Sequence, residues 1–306
     1  MLWPRPQPLL LALLLVLGAA SLHAQTIDDS VMMPRQQLCT GFIYMHDAWD
    51  RYWEGTLERG NGNIGTVTTE SVSWMGTYGV TDRLNVIATV PFVWTKASAG
   101  TLSGMDGFQD LTVAVKWNAL ATGLTRLGTL KAFAVVSAGL PLTDYTPDFQ
   151  PMSIGLASRR AAGRLTLNFQ TNDGWFVEGT SAYTWRGKVK LDRPYYYTDG
   201  QLFFSDEVAM PDAIDYTFRA GYWSHGLYAP ISFSQQITLG GGDIRRQDMP
   251  FVSNRMNSSR VDALAMYFVP KPKNLAVRLG ATYTVSGRNV GQSTTLVAGL
   301  LYTFKF

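Results

Sequence analysis

Cysteine is nearly absent from the 306-residue chain: the single Cys39 excludes an intramolecular disulfide and any metal site built from several thiolates. Charge is scarce as well, at 16% of residues against the roughly 25% usual for soluble domains. The charges present nearly cancel, 26 basic against 23 acidic, and no basic tract exists for a nucleic-acid backbone to meet. Past the first 24 residues there is no apolar run of the roughly 20 residues that a spanning helix needs, which excludes a helical membrane protein. A disordered polymer is excluded too, because hydrophobic residues make up 46% and mean hydropathy is −0.01. What the chain does hold is 12% aromatic residues, nine of them Trp, and 29 Gly, a composition that leans toward strands, turns and an interface with lipid.

Residues 1–24 have the layout of a secretory signal peptide: Arg5 near the start, an apolar stretch Leu9–Leu17, and the small residues Gly18-Ala19-Ala20-Ser21. Nine apolar residues are too few to span a bilayer, so removal is expected. The cut falls after Ala24 or, because Leu22 fits poorly two residues upstream of it, after Ala20. Cleavage after Ala24 leaves 25 bases and 23 acids, a net charge of +2, and no Cys at the cut for a lipid anchor. Residues 25–306 then form one exported domain. Without spanning helices it is either soluble or a β-barrel, the non-helical structure that satisfies its backbone in lipid.

A period of two runs through that domain. Phe306, Phe304, Tyr302, Leu300, Ala298 and Leu296 share one face, and Lys305, Thr303, Leu301, Gly299 and Val297 the other. Leu111, Val113, Val115 and Trp117 alternate with Asp110, Thr112, Lys116 and Asn118; Leu165, Leu167 and Phe169 alternate with Arg164, Thr166, Asn168 and Gln170. Tyr216, Phe218 and Tyr222 stand against Asp215, Thr217, Arg219 and Gly221, and Leu275, Val277, Leu279 and Tyr283 against Asn274, Arg278, Thr282 and Thr284. One oily and one wet face suit lipid outside and water inside a barrel, or the opposite sense in a soluble sandwich.

Connection lengths separate the two. Twelve strands are predicted, near 39–49, 65–79, 83–96, 107–118, 129–141, 160–171, 174–187, 211–224, 226–241, 258–269, 274–288 and 291–304. Connections after even strands are tight, as at Val80-Thr81-Asp82, Asn172-Asp173-Gly174, Ser224-His225-Gly226 and Lys271-Pro272-Lys273, with 119–128 a longer exception. Those after odd strands are long, at 50–64, 97–106, 142–159, 188–210 and 242–257, with Arg288-Asn289-Val290 short. The fold expected is therefore all-β: a transmembrane antiparallel up-and-down β-barrel of about 12 strands, with short turns and both termini on the periplasmic side. Trp117, Trp175, Trp223 and Tyr302 adjoin the short-turn rim and Trp94 and Trp185 the long-loop rim, as interfacial girdles require. Phe306 closing the last oily face is similar to the assembly signal of bacterial outer-membrane barrels, so the barrel-assembly machinery and outer-membrane lipid are expected partners.

The stretch Tyr78-Gly79-Val80-Thr81-Asp82-Arg83-Leu84 runs on to Val90-Pro91-Phe92-Val93, then Gly107-Phe108-Gln109-Asp110-Leu111-Thr112-Val113 and Ala138-Gly139-Leu140-Pro141. This order resembles the outer-membrane proteins of the meta-pathway phenol-degradation family over about residues 70–141, although Gly107-Phe108-Gln109-Asp110 stands where Gly-aliphatic-Gly-Asp is more usual. The resemblance implies the outer membrane of a Gram-negative bacterium and a link to aromatic compounds. Asp82 and Arg83 also have a plain reading, a capped tight turn with a charge in periplasmic water.

Chemistry has little to work with. The expected mature chain holds two imidazoles, His46 toward the long-loop end and His225 in a short turn, too far apart to share a site across a bilayer about 30 Å thick. A lipid-modifying barrel enzyme centred on His46 remains a third reading; no catalytic, cofactor-binding or metal-ligating set is expected. The inward face is fuller: Lys116, Lys131, Arg164, Arg186, Arg219, Arg260 and Arg278 with Asp110, Glu178, Asp215 and Asp262, seven bases against four acids. These charges line either a narrow, mildly anion-preferring channel that takes small solutes by passive uptake, or a filled structural barrel without transport. Tyr195, Tyr196, Tyr197, Phe203 and Phe204, beside Lys188, Lys190 and Arg193, form a constriction if their loop folds inward and an ordinary extracellular loop if it folds outward. Residues 25–38 are too few for a plug domain.

Overall fold

The computed structural model describes residues 26–124, 126–245, 249–272 and 274–306, so the segment expected to be a signal peptide and its cleavage point lie outside the described residues. Twelve long antiparallel strands form the wall: β1 (Gln37–Trp49), β2 (Val67–Thr81), β3 (Leu84–Ala97), β4 (Asp110–Leu124), β5 (Gly128–Pro141), β6 (Arg160–Thr171), β7 (Trp175–Arg186), β8 (Ala213–Ser224), β9 (Leu227–Thr238), β10 (Asn257–Phe268), β11 (Leu275–Arg288) and β12 (Thr294–Lys305). β1 pairs with β2 on one side, Leu38↔Tyr78 to Trp49↔Val67, and with β12 on the other, Gln37↔Lys305 to Ala48↔Thr294, which closes the barrel. Closure removes the unpaired amides that a sheet edge would expose to lipid.

Side chains alternate as a membrane barrel demands. Phe42, Leu165, Leu167, Phe218, Leu279, Leu300 and Tyr302 stand exposed on the outer surface, while Cys39, Thr77, Thr303, Asn168 and Thr284 are buried within. Trp117, Trp175 and Trp185 are exposed, as rim residues. Trp223 is not one of them. It packs inward, edge-on to the buried Tyr228 at 5.9 Å, with Lys131 Nζ 5.6 Å above its ring. The outer rim position belongs to Tyr222, which meets Trp175 edge-on at 5.3 Å.

One strand departs from the sequence prediction at both ends, while the other strand ends shift by at most three residues. β4 continues through a bulge at Asn118/Leu120 as far as Leu124, so the connection predicted at 119–128 shrinks to residues 125–127 and ceases to be an exception. At its other end the predicted strand splits. A short strand, Asp106–Phe108, pairs with β3, and the break at Gln109 lies opposite Pro91, which has no amide hydrogen to donate. The long-loop end carries further hairpins that alternation did not reveal: Arg51–Glu54 with Leu57–Gly60, Val189–Lys190 with Glu207–Val208, and Tyr196–Thr198 with Gln201–Phe203.

Candidate functional site

The lumen is occupied by the chain's own N-terminal segment. Residues 25–38 are too few for a plug domain, but residues 26–36 enter the short-turn half of the barrel and pack there, an occupant that the sequence reading did not foresee. The segment is shaped locally by Asp29, whose carboxylate accepts bonds from Thr26 N (2.7 Å), Thr26 Oγ1 (2.8 Å) and Val31 N (3.0 Å). It is then held by the wall. Fully buried Lys116 donates to Asp29 Oδ1 at 2.9 Å and to Thr26 O at 3.0 Å, so the ammonium is paired and hydrogen-bonded as burial requires. Arg164 bridges Asp28 Oδ1 at 2.9 Å and Ile27 O at 3.4 Å, and Arg219 donates to Asp28 O at 2.8 Å while pairing with Glu178.

Below these polar contacts Val31 and Met33 pack against Cys39, Met75, Phe176, Tyr228, Met266, Phe268 and Leu301, an apolar core where alternation alone suggested water. Asn85 Nδ2 donates to Met33 O at 3.2 Å, and the segment leaves through Arg35 N to Asp82 Oδ1 (3.1 Å) and Gln36 N to Gly79 O (2.8 Å). Asp82, read from sequence as a turn cap, thus anchors the incoming segment.

All eleven charged residues expected at the lumen sit on the inner face of their strands, in three groups. Lys116, Arg164, Arg219 and Glu178 hold the N-terminal segment, with Lys131 and Arg278 beside its core. Asp262 accepts from Thr282 Oγ1 at 2.7 Å and from Ser232 and Ser234, next to Arg260 on the same strand. Asp110, Asp215 and Arg186 line a cavity of about 300 Å³ in the long-loop half, roofed by Leu156 and Met210, with Ile27 of the N-terminal segment at its floor. Arg160 and Arg164 also reach it, and Arg160 was missed by the sequence reading. Arg160 pairs with Asp110 at 3.3 Å, and Tyr145 OH donates to the other oxygen of that carboxylate at 2.7 Å. Counting Asp28 and Asp29 raises the acids from four to six against the seven bases named from sequence.

The aromatic loop does not constrict this lumen. Tyr195, Tyr197 and Phe204 are exposed, Phe204 at 85%; Phe203 stacks on Tyr196 at 5.1 Å, and only Tyr196 packs inward, against Phe251. The constriction lies at the N-terminal segment instead. His46 is on the outer face, its Nδ1 3.2 Å from Glu70, a carboxylate that also accepts from Tyr44 OH and from Trp94 Nε1 at 2.7 Å. His225 occupies the β8–β9 turn at the opposite end. Among the described residues no group of three or more His, Cys, Asp or Glu side chains could hold a metal ion.

Fold and lumen together define a membrane-spanning β-barrel whose interior is divided by its own N-terminal segment. Residues 58–299 match the family model described as "Putative MetA-pathway of phenol degradation", and the chain belongs to that family. Among solved structures it is similar to the COG4313 outer membrane channel from Pseudomonas putida F1, with a TM-score of 0.72 at 14% identity, covering 92% of this chain and 100% of that one. A weaker likeness, TM-score 0.47 at 11% identity over 92% of this chain and 93% of the other, is to the transport unit of the autotransporter AIDA-I from Escherichia coli. A search of curated proteins returns no match.

Proposed function

We propose that the protein is an outer-membrane channel for the passive uptake of small solutes, aromatic compounds among them, with short turns in the periplasm and long loops outside. Family membership and the channel described for the Pseudomonas structure support this reading. The observation that carries it is the divided lumen: an open cavity on the long-loop side ends at a segment held by side-chain contacts rather than built into the sheet. Such a segment can yield without breaking the wall. Export by residues 1–24 and assembly through the exposed Phe306 belong to the same proposal.

A filled barrel without transport is the second reading, favoured by the apolar core and by the complete burial of Lys116. Planar-bilayer recordings decide between them. The channel reading expects small, anion-preferring currents, and joint reversal of Arg164, Arg219 and Arg278 to Glu should shift selectivity toward cations. Two of these side chains also hold Asp28 or its carbonyl, so the current should rise as well. Folded protein that carries no current, before or after the reversal, sinks the channel.

A further inference from the structure

The charges of the long-loop cavity are unevenly matched. Arg160 is paired with Asp110, and Arg164 reaches down to Asp28 at 2.9 Å. Arg186 lines the same cavity and forms no ion pair among the described residues. Asp215 is the remaining carboxylate of the lining. With Asp28 in place, three guanidiniums face three carboxylates; with Asp28 withdrawn, three face two, and one positive charge is left over. A single added carboxylate restores neutrality, and Arg guanidinium binds carboxylates through paired hydrogen bonds. The cavity volume of about 300 Å³ is at the small end of the roughly 300–1,000 Å³ of ligand sites, and Leu156, Met210 and Ile27 give it apolar surface, which suits one ring rather than a chain or an oligosaccharide.

We propose that this cavity binds a small organic monoanion, one carboxylate on a compact apolar body, and that the carboxylate, met first by Arg186, displaces Asp28 from Arg164 and so loosens the N-terminal segment. The coupling rests on the channel reading of that segment. Arg164 is the shared element: it cannot serve Asp28 and the solute fully at once, so each weakens the other's hold, and the solute favours the loosened state by the difference in its affinity for the two. Ile27 forms both part of the cavity floor and the residue next to Asp28, so movement of one moves the other.

Binding is tested with benzoate and its uncharged amide, benzamide, titrated calorimetrically into the full-length protein in detergent. Benzoate should bind at least about tenfold tighter than benzamide, the difference expected for hydrogen bonds to a charged partner. Asp28→Asn, which removes the competing anion, should tighten benzoate and leave benzamide unchanged, and Arg186→Gln should erase the preference while Arg186→Lys keeps part of it. Equal binding of the two probes to the unaltered protein overturns the site, without recourse to any variant. Benzoate preference that Asp28→Asn leaves untouched overturns the competition for Arg164. Channel failure is separate: if benzoate binds as expected but no current flows in bilayers with or without it, the site stands and the transport reading falls.

Discussion

The two halves of the lumen are built from the same wall but solved differently. On the short-turn side the cations that bond the N-terminal segment directly are paired, Lys116 with Asp29, Arg164 with Asp28 and Arg219 with Glu178, above a packed core around Val31 and Met33. On the long-loop side the same inward faces enclose a cavity, and Arg186 stands without an ion pair among the described residues. Eight strands are about the number whose own side chains fill a barrel, and roughly sixteen leave a channel, so twelve leave a space that the wall alone does not close. Where residues 26–36 pack, that space becomes core; beyond them, among the described residues, it stays a cavity. The interior of this barrel is therefore set by eleven residues that precede the first strand.

Deleting residues 26–36 should abolish the difference between the halves and gives the largest effect. Current in planar bilayers should rise several-fold, while the exposed core and the now unpaired Lys116 make the barrel less stable. An unchanged current would mean that the segment does not limit the path, and the contrast between the halves would lose its functional content.

Lys116→Met should break the short-turn half without removing the segment. It strands the carboxylate of Asp29 in a buried setting, and losing one partner of a buried pair costs about 3–5 kcal/mol. Joint replacement with Asp29→Asn should recover much of that loss, because no buried charge then lacks a partner. Urea unfolding of the refolded barrel measures both; if the double variant is as unstable as the single one, packing of the lysine stem rather than charge pairing sets the cost.

Much of the wall could be read before any coordinates because lipid enforces a period of two on one face of every strand, and because turn lengths alternate with the two rims. Trp223 shows the rule outperforming a softer cue. Parity with Asp215, Thr217 and Arg219 already puts it inside, whereas nearness to the rim suggested a girdle. Residues 119–124 were lost because the bulge at Asn118/Leu120 shifts the alternation by one residue. The N-terminal segment has no period at all, and its contacts join residues 87 and 191 positions apart, so no local pattern announces it. One trace was available: seven inward bases against four acids left charge that burial would have to match, and adjacent Asp28-Asp29 sits just ahead of the first strand.

The long-loop rim supplies the gentlest test, of how the connections at that end are held to one another. Asp243 accepts from Arg288 Nε at 2.7 Å and Nη2 at 2.6 Å and from Asn289 Nδ2 at 2.9 Å. Asn289 Oδ1 in turn accepts from Gly55 N at 2.8 Å and Ile244 N at 3.0 Å, so one carboxylate ties together the connections that leave β1, β9 and β11. The Arg288 bonds hold the Asp243 carboxyl at about 2, below its ordinary 3.8. A depressed carboxylate contributes its stabilisation fully above the ordinary value and loses it as pH falls through the folded one, so the tie should persist at neutral pH and fade between about 4 and about 2. The pair is partly exposed, and screening by solvent keeps the effect under about 1 kcal/mol. Amide hydrogen exchange at Gly55 and Ile244 should therefore speed up modestly relative to the β-wall as pH falls through that window, and Asp243→Asn should give the fast, pH-independent ratio throughout. If the ratio shows the same pH dependence in Asp243→Asn, this carboxylate is not what holds the three connections together.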